Sequence, residues 1–74
     1  MIKEKIKRDE EKELDNAEKQ LKFHINTKTK LIKQLKDTNE YKLRIKLKEK
    51  INEQKTMIEI WISNINSIKS QLEN

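Results

Sequence analysis

The chain of 74 residues contains neither Gly nor Pro. These two residues interrupt helices most strongly, so nothing in the sequence forces the backbone out of an α-helix. In the C-terminal third an apolar residue returns every seven positions, at Ile51, Ile58, Ile65 and Leu72. Because seven residues make almost two helical turns, this repeat predicts an α-helix with one apolar seam of the coiled-coil type.

The seam changes phase near the middle of the chain. Upstream, Leu14, Leu21 and Leu35 share one heptad frame, and the downstream isoleucines follow a frame offset by two positions. A turn explains the offset, and residues 37–40 offer Asp37 and Glu40 at capping-box spacing, although no Gly ends the preceding helix. The sequence therefore predicts an all-α fold, an antiparallel helical hairpin over residues 1–74, with helix 1 at about 2–36, a turn at 37–40 and helix 2 at about 41–73.

The hairpin predicts which residues face each other. Residues whose numbers sum to about 78 lie opposite, which sets the only Ala, Ala17, against the only Trp, Trp61. The single histidine, His24, falls on the seam near Gln54. A polar layer of this kind fixes helix register at some cost in stability.

One segment permits another interpretation. Residues 41–48 alternate apolar and basic side chains, as a half-buried β-strand does. Such a strand needs a partner strand, which a second copy of the chain could supply.

Helix 2 carries more apolar residues than one partner helix covers. Seven large apolar side chains fall between residues 57 and 68. We expect a second copy to cover the excess, giving a homodimer in the form of a four-helix bundle. A docking groove for a different protein is the alternative. The predicted apolar interface consists of Ile58, Trp61, Ile62, Ile65 and Ile68.

Positive charge is concentrated in the middle of the chain. Residues 19–50 contain eleven basic and three acidic residues, a net charge of +8, whereas residues 1–18 carry −2 and residues 51–74 carry −1. Folding back gathers this charge at the turn end, where two aromatic rings point away from the seam. Basic groups beside exposed rings are typical of nucleic-acid binding, and an acidic protein partner would also fit. The candidate contacts are Phe23, Lys30, Lys33, Tyr41, Arg44, Lys46 and Lys48.

A short helical hairpin that dimerises and exposes a Phe among lysines is similar in layout to the Rop-type plasmid RNA-binding proteins. That resemblance implies a four-helix bundle that binds RNA. It extends over most of the chain in general layout, and no motif carries it. Lys outnumbers Arg by 16 to 2, which favours a solvated basic face, since base readout relies more on Arg.

Several function classes find no support in the sequence. His24 has no second metal ligand one turn away, no nucleophile and base are paired, and no phosphate-binding loop is present, so we expect no enzyme, metal, cofactor or small-molecule substrate. No apolar run is long enough for a membrane span or signal peptide, which predicts a cytoplasmic protein. We expect a small helical regulatory protein that docks to another macromolecule, of the kind a phage or mobile element uses to inhibit or adapt a host protein. A coiled-coil stalk fragment is a further alternative.

Overall fold

The computed structural model describes the backbone of residues 2–73 and the side chains of residues 9–73. Two α-helices, α1 (Ile2–Asp37) and α2 (Tyr41–Glu73), pack side by side as an antiparallel hairpin. The hairpin is 59 Å long and 14 Å wide across its Cα atoms. The predicted all-α hairpin is therefore confirmed, while the predicted domain limits at residues 1 and 74 lie outside the described residues.

The strand interpretation of residues 41–48 is wrong, because these residues form the first two turns of α2. A lone strand leaves its backbone N–H and C=O groups without partners, whereas a helix pairs them within the segment. The alternation of apolar and basic side chains instead spreads them around the helix, leaving Leu47 buried and Ile45 39% exposed.

The turn consists of residues 38–40, and its capping differs from the prediction. Asp37 is the last residue of α1 and not the cap of α2. The first hydrogen bond of α2 runs from the Arg44 N–H to the Glu40 carbonyl at 2.9 Å, so Glu40 occupies the cap position. The capping box predicted for Asp37 and Glu40 is therefore wrong, because α1 continues through the residue that was to begin the turn.

The end of α1 is capped by a side chain from α2. The Arg44 guanidinium donates through Nη1 to the Leu35 carbonyl at 2.7 Å and to the Thr38 carbonyl at 2.8 Å. The Thr38 hydroxyl donates to the Gln34 carbonyl at 2.7 Å. No residue among 2–73 has a positive φ angle. Carbonyls that a C-terminal Gly motif would satisfy are thus satisfied by side chains, which explains how the chain turns without Gly.

Replacing Arg44 with Met is expected to lower the free energy of unfolding by about 1 to 3 kcal/mol, because two hydrogen bonds from a charged, half-buried group are lost. Urea titration followed by circular dichroism measures the change. The exposed Lys46 lies two residues away, and Lys46→Met is the control, with an expected change within about 0.5 kcal/mol. Equal urea midpoints for the two variants would show that the Arg44 cap does not stabilise the turn.

The packed core lies in the half of the hairpin nearer the chain termini. Ala17, Ile65 and Ile68 are buried, and Trp61 packs against them together with Leu14, Leu21 and Leu72. Ala17 is only 1% exposed, and its small side chain leaves room for the indole between two closely spaced helices. Toward the turn, Leu47 is the one other fully buried residue among those described.

A polar contact joins the helices between the core and the turn. The Nδ1 of His24 donates to the Oε1 of Gln54 at 2.6 Å. The two residues are the pair that the antiparallel register sets side by side. This hydrogen bond fixes the axial alignment of the two helices, since sliding either helix by one turn would leave both groups unpaired.

Candidate functional site

The hairpin uses most of the predicted apolar interface in its own core. Ile65 and Ile68 are buried, and Ile58 and Trp61 are half-buried. Ile62 is different, because 44% of it is exposed. The structure thus brings these five residues together on α2, and Ile62 is the one that contributes a large exposed surface.

Exposed apolar side chains remain on both helices. Among the described residues the large ones are Phe23, Ile25, Tyr41, Leu43, Ile45, Ile60 and Ile62. Ile60 and Ile62 are two residues apart, so they point about 160° away from each other around the helix axis. A single flat partner surface therefore cannot cover both. An apolar interface with one partner can include only one side of the hairpin.

Two isoleucines of α1 were missed by the sequence analysis. Both have purely aliphatic side chains, yet Ile25 is 45% exposed and Ile32 is only half-buried. They directly follow the seam residues His24 and Leu31 in the sequence, and this spacing was the available signal. The apolar stripe of α2 contains more residues and was the stronger signal.

The indole of Trp61 carries an unusual polar atom. Its Nε1 is buried and has no hydrogen-bond partner. Leaving a buried donor unpaired costs about 1 to 3 kcal/mol. The ring therefore stabilises the core through its apolar area alone, with the N–H group opposing part of that gain.

The structure does not bring the candidate basic and aromatic contacts into one patch. By helical phase Phe23, Lys30 and Lys46 point to one side of the hairpin, Tyr41 and Lys48 to the other, and Lys33 to the back of α1. Phe23 and Tyr41 also lie about 20 Å apart along the hairpin. The charge therefore surrounds the turn half and does not form a single strip.

Three of these candidates differ in the exposure of their side chains and in the contacts that they already make. Tyr41 is 76% exposed and Phe23 is 61% exposed. The Phe23 ring meets the His24 ring edge to face, with 5.3 Å between their centroids. Arg44 is half-buried and donates to the turn carbonyls, so its first role is to cap α1.

Folding also separates the charges along the hairpin. The turn half, residues 19–59, holds twelve basic and five acidic residues, a net charge of +7. Residues 9–18 hold six acidic residues and one basic residue, a net charge of −5. Within this acidic segment Asp15 pairs with the neighbouring Lys19 at 3.1 Å, and both side chains are largely exposed. The molecule therefore presents a basic turn half and an acidic band near the termini.

One shallow, open groove of about 550 Å³ lies beside α2, toward the turn. Lys28 of α1 lines it together with Ile45, Lys48, Glu49, Ile51, Asn52 and Lys55 of α2. The groove thus offers aliphatic carbons, ammonium groups, one carboxylate and one amide. Within residues 9–73 no group of three His, Cys, Asp or Glu side chains is placed to hold a metal ion. In the described part of the chain neither helix has an apolar stretch that could cross a membrane.

Comparison of the chain with protein-family models, curated proteins and solved structures found no significant similarity. The resemblance to Rop-type proteins thus remains one of general layout.

Proposed function

We propose that this protein is a non-enzymatic helical interaction protein that self-associates and docks, by its basic turn half, to an acidic protein. The observation that carries the proposal is the mismatch between core and surface. Among residues 9–73, four hydrophobic residues are buried, whereas seven large apolar side chains are at least 39% exposed. Two helices in one layer correspond to half of a four-helix bundle. A second layer would cover the apolar side chains that the first layer leaves exposed.

Size supports the same proposal. A chain of 74 residues seldom gains more than about 3 to 5 kcal/mol from one core, and this chain has no cysteine for a disulfide. Association is the remaining source of stability. A regulatory role as an inhibitor or adaptor of a host protein suits such a module, because its activity would lie in the surfaces that it presents.

Thermal unfolding tests the self-association. If folding and association are coupled, the melting temperature should rise with chain concentration over a roughly hundredfold range, as mass action requires. Circular dichroism at 222 nm follows the helices. A melting temperature that does not change with concentration would contradict self-association.

Binding of RNA or DNA is a second candidate function. The observation that favours it is the +7 charge of the turn half, combined with the exposed ring of Tyr41. Because the basic groups surround the turn, such binding would rely on phosphate contacts and tolerate many sequences.

Fluorescence anisotropy with a mixed-sequence, single-stranded oligonucleotide tests this candidate. Affinity should fall at least about tenfold between roughly 50 and 200 mM salt if several phosphates are contacted. The double substitution Lys46→Gln and Lys48→Gln should reduce the salt slope by about 1 to 2 units, while Lys12→Gln in the acidic band should leave it unchanged. Absence of binding at the lower salt concentration would exclude the nucleic-acid function.

A further inference from the structure

We propose that a second copy of this chain covers one particular side of the hairpin and lies antiparallel to the first, with the turn of each copy beside the termini of the other. The side consists of Ile25, Ile32, Ile51, Ile58 and Ile62, and is called the isoleucine side below. This inference rests on the self-association proposed above, to which it adds the surface and the orientation.

Helical phase brings these five residues to one side. Ile25 and Ile32 each follow a seam residue of α1, and Ile62 follows Trp61 on α2. The helices of an antiparallel pair are related by a twofold axis perpendicular to the plane of their axes. Equal rotational offsets from the seam therefore place side chains of both helices on the same side. Ile51 and Ile58 lie within about 40° of Ile62 around α2.

Burial agrees with this placement. None of the five isoleucines is fully buried, and Ile25 and Ile62 are 45% and 44% exposed. The shallow, open groove beside α2 is lined partly by Ile51, so this isoleucine is accessible from outside the hairpin. The isoleucine side therefore combines incomplete burial with room for side chains of a second copy.

The opposite side carries many uncharged polar residues beside the seam. The residues that precede the seam positions there include Asn16, Gln20, Thr27, Gln34, Glu53, Asn64 and Gln71. Ile60 and Phe23 also point away from the isoleucine side, but each projects more than 100° from the seam, toward the back of its helix. A second layer placed on the isoleucine side buries five isoleucines among charged residues such as Glu18 and Lys55, whereas one on the opposite side would bury mainly amides beside Met57.

The area suits a stable dimer. A side of 59 by 14 Å has a footprint of about 800 Å², which is what each partner buries in an interface of standard size. The five isoleucines occupy about 24 Å of that length, and an interface of standard size on this side needs a partner that extends past them toward both ends of the hairpin. A second hairpin is such a partner.

Charge selects the orientation. With the two turns at the same end, two halves of net charge +7 would lie side by side. With the turns at opposite ends, each basic half lies beside the terminal half of the other copy, which carries a net charge of −2 over residues 1–18 and 60–74 and includes the acidic band, residues 9–18. On the isoleucine side itself, Glu11 and Glu18 of one copy come level with Lys48 and Lys55 of the other. The antiparallel arrangement thus replaces repulsion by attraction.

The same arrangement matches apolar residues. A twofold axis through the middle of the hairpin brings Ile51 of one copy level with Ile62 of the other, with Ile58 close to the axis. The contact is self-complementary, as an isologous dimer interface must be.

Two isoleucines of α2 provide a matched test of the surface. Ile60 and Ile62 are both exposed, flank Trp61 in the sequence and point to opposite sides. Substitution of either by Lys adds the same charge near the acidic band, which the separate hairpin should tolerate. Sedimentation equilibrium of Ile62→Lys should show a dimer dissociation constant raised about 100-fold or more, because a charge is placed at the centre of an apolar contact. Ile60→Lys should change it less than about threefold.

A second outcome would also support the isoleucine side. In it, Ile62→Lys loses both helix and dimer while Ile60→Lys keeps both, because folding is then coupled to the contact at Ile62. Equal dissociation constants, or a larger effect of Ile60→Lys, would overturn the assignment of the surface. A native chain that stays monomeric would instead overturn the proposed self-association, so the two failures are distinguishable.

Spin labelling tests the orientation. The chain has no cysteine, so Asn39→Cys in the exposed turn accepts a single nitroxide label. Dipolar electron spin resonance on the labelled dimer should give a distance of about 50 Å between the two turns, set by the length of the helices. A distance under about 25 Å would mean that both turns lie at the same end, and would overturn the antiparallel orientation.

Discussion

The Ile65→Ala variant is expected to be largely unfolded at concentrations where the native chain is folded. Ile65 is 7% exposed and packs with Ala17 and Ile68. Removing a buried isoleucine side chain beyond its Cβ costs about 2 to 5 kcal/mol, through lost burial and the cavity left behind. That range is comparable to the whole stability of about 3 to 5 kcal/mol expected of a domain of this size. Urea titration followed by circular dichroism measures the loss.

Ile60→Ala is the control for this variant. It makes the same chemical change on the same helix, at a residue that is 53% exposed. The expected change is within about 0.5 kcal/mol, since little area leaves the core and Ala favours helix. Similar urea midpoints for the two variants would contradict the placement of the core at Ile65.

Trp61 should show the second large effect, and two substitutions separate its causes. Trp61→Ala removes the ring that packs on the core and should cost about 3 to 5 kcal/mol. Trp61→Phe keeps an aromatic ring and removes the buried, unpaired Nε1, so part of the lost packing is offset. We expect a net change below about 1.5 kcal/mol.

Both substitutions of Trp61 are measured by urea titration, with circular dichroism as the signal, because the only Trp fluorophore is removed. A Phe variant that is as unstable as the Ala variant would indicate that the Nε1 group makes a stabilising contact. It would thereby contradict the account of the indole as a purely apolar anchor.

The hairpin itself could be predicted from the sequence because its determinants are local. Three features indicated two antiparallel helices: the absence of Gly and Pro, the sevenfold isoleucine repeat and the change of phase before Tyr41. The opposition of Ala17 and Trp61, and of His24 and Gln54, followed from the register.

The turn chemistry could not be predicted in the same way. Arg44 appeared as one cation among many, yet it reaches back across the turn to the Leu35 carbonyl. A long flexible side chain has many rotamers, and spacing alone does not reveal which carbonyl it meets. The capping-box pattern at Asp37 and Glu40 was a local signal that the continuation of α1 overrode.

The candidate surfaces were predicted only in part. The stripe of α2 was correctly seen as broad, but counting apolar residues along one helix does not show how much the partner helix covers. Ile65 and Ile68 are buried in the core of the hairpin. Ile60 and Ile62 are exposed and point to opposite sides of it. Pairing the helices was necessary before Ile25 and Ile32 could be joined to Ile62 on the isoleucine side.

The central claim is that one hairpin is half of the folded unit. Sedimentation equilibrium of the native chain, with circular dichroism at matched concentrations, tests it most directly. We predict a species of twice the 9.0 kDa chain mass wherever the helices are fully formed, and loss of helix as dilution produces the monomer. A fully helical species of 9.0 kDa at every concentration would contradict the claim.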